Sequence, residues 1–492
     1  MRPVPTTRRA ATPRGAATPE TRHRAVLLAS RLSGVAFVVM NVVAAVALSS
    51  CSSAPVATVT SSAAATTNPN IFLQQRSEGV QRLLDGLTRS LLTGDQRRLR
   101  GLLDPTASAA FRSRWLAAAT ALSGGTAPQT VSADSTQRGQ ALRLKEFHYQ
   151  LASTAQAETL APADVQRRLD AQGSSDSWVA PVELRYALGG PSVPGADEPE
   201  IVVDLQLIVA RYDDDWRLVG DQVLLGDPPP GPQLWDYPDP AATGVLSAGG
   251  LSVIVSYPGA ARAVAALRAQ LPAAVAAVAR FWGERWPRRV VVVATGRPEE
   301  FTGLAATDPT DTREAAAATT FGSLDDQGRV AGQRIVLAPT AGELAPPVLD
   351  EVLRHELTHV ATRAVTVADA PKWMTEGLAE YVGRKGTYVR LADAAPDLAA
   401  LVRAGRPPTA VPADQDFVLS ARSSSLAYQA AWSLAAFVAG RYGEVRLKAL
   451  YRGVAASGDT GRQDAAIGTA LGVTRAQMVT QWQHWLAEQV SG

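Results

Sequence analysis

The stretch RHELTHVATRAVTVADAPKWMTEGLAEY (354–381) decides how the second half of this 492-residue chain is read. It holds two of only five histidines, His355 and His359, four residues apart with Glu356 between them. The other three, His23, His148 and His484, stand alone. Pro346-Pro347 opens a helical pattern, since proline suits a first turn. Val348, Leu349, Val352, Leu353, Leu357 and Val360 supply its apolar positions. On such a helix residues i and i+4 share a face, so both imidazoles project together and can ligate one zinc ion. Glu356 beside them can act as general base on a water that the metal activates. Catalytic zinc usually takes three protein ligands. The candidate third is Glu376, 17 residues beyond His359 in a second helix that the intervening residues can fold back against the first. Glu380, one turn further, points the same way and is expected to hold the distal ring N–H of one histidine. The plain alternatives are two surface histidines on an amphipathic helix and an exposed carboxylate at 380.

HELTH followed by WMTEGLAEY resembles the gluzincin zinc metallopeptidases, whose pattern is HExxH and then a glutamate in an E-G or E-A helix. With LAYQAAWSLAAFVAGRYG and the closing LGVTRAQMVTQWQHWL it is similar to the peptidase-MA-like family of bacterial secreted proteins. The resemblance covers about 245–490. It implies Zn²⁺ as cofactor, His355, His359 and Glu376 as ligands and Glu356 as base. It also implies a tyrosine donor for the oxyanion, best placed at Tyr428, with Tyr381 and Tyr442 as rivals and a core role open for each. The Gly-x-Met-Glu-Asn signature of aminopeptidase gluzincins is absent, which leans toward an endopeptidase acting on peptides or proteins.

Hydrophobic residues make up 46% of the chain and charged residues 19%, an ordinary globular balance for two or three domains. The net charge of +2 hides an asymmetry. Residues 1–50 hold seven arginines and one acid, which leaves 41 basic against 45 acidic residues elsewhere. No basic stripe remains to suggest nucleic acid. The single cysteine, Cys51, excludes an internal disulfide framework. It follows LSGVAFVVMNVVAAVALSS, an apolar run behind an arginine-rich leader, which reads as a secretory signal. Leu48-Ser49-Ser50-Cys51 resembles the bacterial lipobox, with Cys51 the lipidated residue. An uncleaved signal anchor is the alternative, because the run is long enough to span a bilayer. Either reading anchors the chain to the membrane and places the rest outside the cytoplasm, at the cell envelope.

The expected organisation is a signal peptide with lipobox (1–50), a flexible tether (51–75), an α+β accessory domain (76–225), a proline-rich linker (226–244) and a metallopeptidase-like domain (245–492). In the accessory domain, helices over 76–120 precede alternating strands in VELRYAL and VVDLQLIVARY. The order resembles the cone of cystatin-like and nuclear-transport-factor-like modules. Asp213–Asp215 reads as a hairpin turn rather than a metal site. The fold class is α+β throughout, the last domain having an N-terminal β-sheet part and a helical C-terminal part. An alanine-rich helix is expected to break or kink at Pro272. GQRIVLAP (332–339) is a candidate sheet edge on which an extended substrate adds as a strand, or else an internal strand. Charges flanking DEVLRHELTHVATR exclude an intramembrane protease. The competing function is an envelope-anchored binding lipoprotein with a vestigial zinc site. Its weakness is Glu356, which a structural site does not need.

Overall fold

A computed structural model describes residues 38–41 and 71–491, except 124–141, 143, 154–158, 190–197, 284–285, 306–314, 325–327, 389 and 419–422. Cys51 and most of the expected leader and tether lie outside the described residues. Within the leader, Val38–Asn41 forms a short strand, β1.

Helix α1 (Ile71–Thr93) starts inside the expected tether and buries Val80, Leu83, Leu84, Leu87 and Leu91, the stripe its spacing predicts. Asp95 caps α2 (Gln96–Leu102), its Oδ1 accepting the Arg98 N–H at 2.9 Å. Phe111 and Trp115 turn α3 (Ala109–Ser123) inward. Strand β2 (Leu144–Leu151), helix α4 (Ala163–Asp170) and strands β3 (Asp176–Leu188), β4 (Ile201–Tyr212) and β5 (Asp215–Asp221) follow. The four strands pair antiparallel in sequence order. Asp213 and Asp214 close the last hairpin, Asp213 at φ 53°, so these aspartates form a turn. Helix α1 packs on β2 and β5. On the alternate strand positions Val179, Ile208, Ala210 and Val219 meet Val165 and Leu169 of α4.

The proline-rich segment expected as a linker is packed. Trp235 is 2% exposed and sits edge-on to Phe147 and Tyr186, centroids 5.2 and 4.9 Å away. The Leu234 carbonyl accepts the Tyr257 hydroxyl at 2.7 Å, and the Tyr237 hydroxyl donates to the Glu299 carbonyl at 3.0 Å. Residues from Ala241 onward, inside the expected linker, already belong to β6 (Ala241–Ser247). One hydrophobic core runs through both halves of the chain.

The second half begins with β6, β7 (Gly250–Ser256), α5 (Ala261–Trp282), β8 (Val291–Ala294) and α6 (Pro298–Leu304). Next come β9 (Ala315–Thr320), the small pair β10 (Ser323–Leu324) and β11 (Val330–Ala331), and β12 (Arg334–Leu337). With β1 they give a six-stranded sheet in the order β1-β9-β12-β8-β7-β6. It is mixed: β7, β8 and β12 run parallel, while β6 and β9 are antiparallel to their neighbours β7 and β12. Two expectations that left alternatives open are narrowed. Helix α5 is continuous through Pro272, which removes the break; Leu267, Leu271, Ala274, Val275 and Val278 are all fully buried and hold that face in place. Strand β12 is internal, bonded to β9 on one side and β8 on the other, so it offers no free edge. Among the described residues the chain is a mixed α/β structure with antiparallel sheets of four and two strands and one mixed sheet of six.

Helices α7 (Pro346–Thr362) and α8 (Lys372–Arg384) follow the sheet. Short α9 (Leu391–Ala394) and α10 (Pro396–Arg403) lead to α11 (Ser424–Tyr442), α12 (Glu444–Val454), α13 (Thr460–Leu471) and α14 (Arg475–Ser491), the helical end that the sequence predicts.

Candidate metal centre

Helix α7 lies against α5, α8 and β9 and is buried on nearly every side from Leu349 onward. Proline suits its start, where no intrahelical acceptor awaits an N–H. Helix α8 follows Pro371, and the Lys372 N–H is taken by Asp414 Oδ1 at 2.8 Å. Two glycines set how closely α8 is gripped. A Cβ on Gly377 would stand 2.8 Å from the Ala431 carbonyl oxygen of α11. A Cβ on Gly383 would stand 3.0 Å from the Glu351 carbonyl oxygen of α7 and 3.4 Å from the His355 Cβ. The glycine after Glu376 is thus required by a backbone approach.

This packing brings His355, His359 and Glu376 together, with their donor atoms within 4.8 Å of one another. The two Nε2 atoms are 3.0 Å apart. Glu376 Oε2 lies 3.4 Å from His355 Nε2 and 3.6 Å from His359 Nε2. Two nitrogens bound at ~2.0–2.1 Å to one tetrahedral zinc would stand about 3.3 Å apart. The three side chains are buried, at 3%, 5% and 1% exposure. Glu380 Oε1 is 3.3 Å from His355 Nδ1. A proton on Nδ1 directed at that carboxylate leaves Nε2 with a lone pair toward the group. Arg384, one turn further along α8, holds Glu380 Oε2 through Nε at 2.6 Å and donates from Nη1 to the Ala394 carbonyl at 2.6 Å.

The electrostatics call for a cation. Burial alone would lower the pKa of His355, but Glu376 and Glu380 outweigh it and raise it well above the usual imidazole value. Burial would likewise raise Glu376 and Glu380. His359 and His355 hold Glu376 below the carboxylate range, and Arg384 and His355 do so for Glu380. Positive charge is therefore stabilised where the lone pairs meet, as a proton or as a metal ion in its place. His355, His359 and Glu376 form a buried group able to hold a metal ion.

Glu356 lies between the two histidines on α7 and feels the charge of both. It is fully buried, and burial pushes its pKa up against the pull of His355 and His359. Its Oε2 accepts the Thr319 hydroxyl of β9 at 2.5 Å. Its Oε1 has no hydrogen-bond partner among the described residues. A buried carboxylate oxygen left without a donor is costly unless it serves a purpose. Thr319 escapes sequence reading, since nothing in AATTFGS marks it and 37 positions separate it from Glu356. Arg384 is legible in retrospect as the third member of an i, i+4, i+8 series with Glu376 and Glu380.

Tyr428 is buried on α11 with its ring edge-on to Phe417, centroids 5.1 Å apart. The Tyr381 hydroxyl donates to Glu444 Oε1 at 2.8 Å, and that of Tyr442 to Gln481 Oε1 at 2.5 Å. Both rivals are committed away from the metal-binding group. Compared with known proteins, the chain matches no family model and no curated protein.

Proposed function

We propose that this chain is a zinc-dependent peptidase of the gluzincin type, tethered at the outer face of the membrane through Cys51, and an endopeptidase. The carrying observation is Glu356: a buried carboxylate beside a buried two-histidine, one-glutamate group, with one oxygen held by Thr319 and the other left for chemistry. A second observation favours a peptide as substrate. The extended segment Val38–Asn41 lies along β9 with Asn41 opposite Thr319, and it also lies against α7 and α11. An extended backbone fits this place.

His355, His359 and Glu376 would hold the zinc. When bound, zinc supplies Lewis-acid polarisation of a water and of the peptide carbonyl. Glu356 removes a proton from the attacking water through Oε1 as the water oxygen bonds to the carbonyl carbon. It then delivers that proton to the amine nitrogen as the C–N bond breaks, so one carboxylate serves both half-steps. Glu380 keeps His355 in one tautomer, and Arg384 keeps Glu380 ionised and in place.

The test separates holding from chemistry. His355→Ala should lose most bound zinc. Glu356→Gln should retain about one zinc per chain yet lose ~10²–10⁴-fold in peptide turnover, the usual contribution of a positioned general base. Metal analysis and peptide digestion on the same preparations read both. A Glu356→Gln protein with wild-type turnover would sink the mechanism, and a wild-type protein that binds zinc but cleaves nothing would favour a binding role. For the anchor, labelling with a fatty-acid analogue should mark the wild type and not Cys51→Ala; equal labelling of both refutes it.

A further inference from the structure

Thr319 is a residue of the sheet, not of either motif helix, and its place is fixed from several directions. Its backbone sits in β9, opposite Ile335 of β12. It is 4% exposed. Being β-branched, it has few rotamers to choose among. Its hydroxyl reaches Glu356 Oε2 at 2.5 Å and lies 3.4 Å from the Glu356 backbone carbonyl. Glu356 itself has three rotatable side-chain bonds, and among the described residues no other side chain donates to it. A general base works only when its oxygen is held at the reacting proton.

We propose that Thr319 is a positioning residue for the general base: its hydroxyl clamps Oε2 of Glu356 so that Oε1 alone remains available for proton transfer. The inference rests on the peptidase reading for its catalytic consequence. Its geometric content is that a proton acceptor beside the metal group is pre-set by the sheet. The hydrogen bond crosses from β9 to α7, so the same hydroxyl fixes the base relative to the strand along which an extended backbone lies.

The experiment compares Thr319→Val, which keeps the shape and removes the hydroxyl, with Thr319→Ser, which restores the hydroxyl. Turnover of a quenched fluorescent peptide pool gives kcat and KM. Zinc content and thermal unfolding are measured on the same samples. A second arm needs no turnover: the affinity of the zinc-loaded protein for acetohydroxamate, which gives up a proton on chelation and is held more tightly where a carboxylate placed beside the ion receives it. Thr319→Val should lower kcat roughly ten- to a hundredfold, the scale of a base misplaced by about 1 Å, with KM and zinc content within about twofold of wild type. It should weaken acetohydroxamate binding about tenfold, and Thr319→Ser should recover most of both losses.

Three results would overturn the inference. Thr319→Val could match wild type in both arms. Thr319→Ser could be as impaired as Thr319→Val. Zinc content could fall in step with kcat, which would make Thr319 a structural residue. If wild type cleaves no peptide, the peptidase reading falls by itself, and the acetohydroxamate comparison then decides the role of Thr319.

Discussion

Glu198 and Arg334 come from the two halves of the chain, 136 residues apart, and meet in a two-pronged pair: Nη1 to Oε1 at 2.6 Å and Nη2 to Oε2 at 2.9 Å. Their side chains are only 9% and 8% exposed, so water screens the pair little. Arg334 opens β12 and is paired across the sheet with Thr320, next to the residue that holds Glu356. Replacing Glu198 with alanine leaves a guanidinium buried without its carboxylate. The expected loss is ~3–5 kcal/mol, because removing one partner of a buried pair costs the desolvation that the other no longer recovers. The pair itself need not be worth that much. The double replacement Glu198→Leu with Arg334→Met removes both charges and should return to within about 1–2 kcal/mol of wild type. Urea unfolding followed by tryptophan fluorescence and far-ultraviolet circular dichroism compares wild type, Glu198→Ala and the double variant. Since the pair joins the halves, Glu198→Ala should also separate one cooperative transition into two. The reasoning fails if Glu198→Ala loses less than about 1 kcal/mol, the range of a surface ion pair, or if the double variant is no better than the single.

Two further outcomes are expected. His355 takes up a proton with its pKa raised by the facing carboxylates, and the proposed zinc would have to displace that proton. In the metal-free protein this raised value stabilises the fold below the unfolded histidine pKa of ~6.5 and ceases to do so as pH rises through the folded value. Zinc affinity therefore climbs with pH, and titration calorimetry at pH 7 in buffers of different ionisation enthalpy should report about one proton released per zinc; no release would refute this proton placement. Gly377→Ala should gain ~0.8–1 kcal/mol in helix propensity, but its Cβ meets a backbone carbonyl at 2.8 Å. Overpacking at ~1–3 kcal/mol then wins, so melting temperature and zinc retention should both fall; a more stable variant with full zinc content would show that α8 and α11 can part freely.

The site was the most legible part of the sequence because its chemistry is local. His355, Glu356 and His359 lie on one helix, and Glu376 and Glu380 on the next, so helical spacing alone carries the geometry within each. What closes the site is not local. Thr319 reaches Glu356 through sheet packing, and no periodicity encodes that meeting. The α+β order and the helical end were also legible. Parallel pairing in the second half was not, since short apolar runs fit either direction. The internal place of β12 was one of two readings that the sequence left open, and the structure, which buries Arg334–Leu337 at every position, selects it. The linker misled through its prolines. They do keep it out of helix and sheet as far as Pro240, but Leu234 and Trp235, apolar residues amid the turn formers, are what dock it.

Trp235 also bears on how such a chain can be recombined. Its indole belongs to the core of the antiparallel sheet, against Phe147 and Tyr186. The residues that flank it bond to Tyr257 and to the carbonyl of Glu299 in the other half. The boundary between the halves in sequence is thus not a boundary in packing. A gene segment that carried residues 245–492 alone into a new context would leave the plug behind. One cut earlier would carry the plug away from its socket. The half with the His355, His359 and Glu376 group can be handed on intact only together with the aromatic pocket that grips its leading segment, so the two halves are expected to be inherited as one unit.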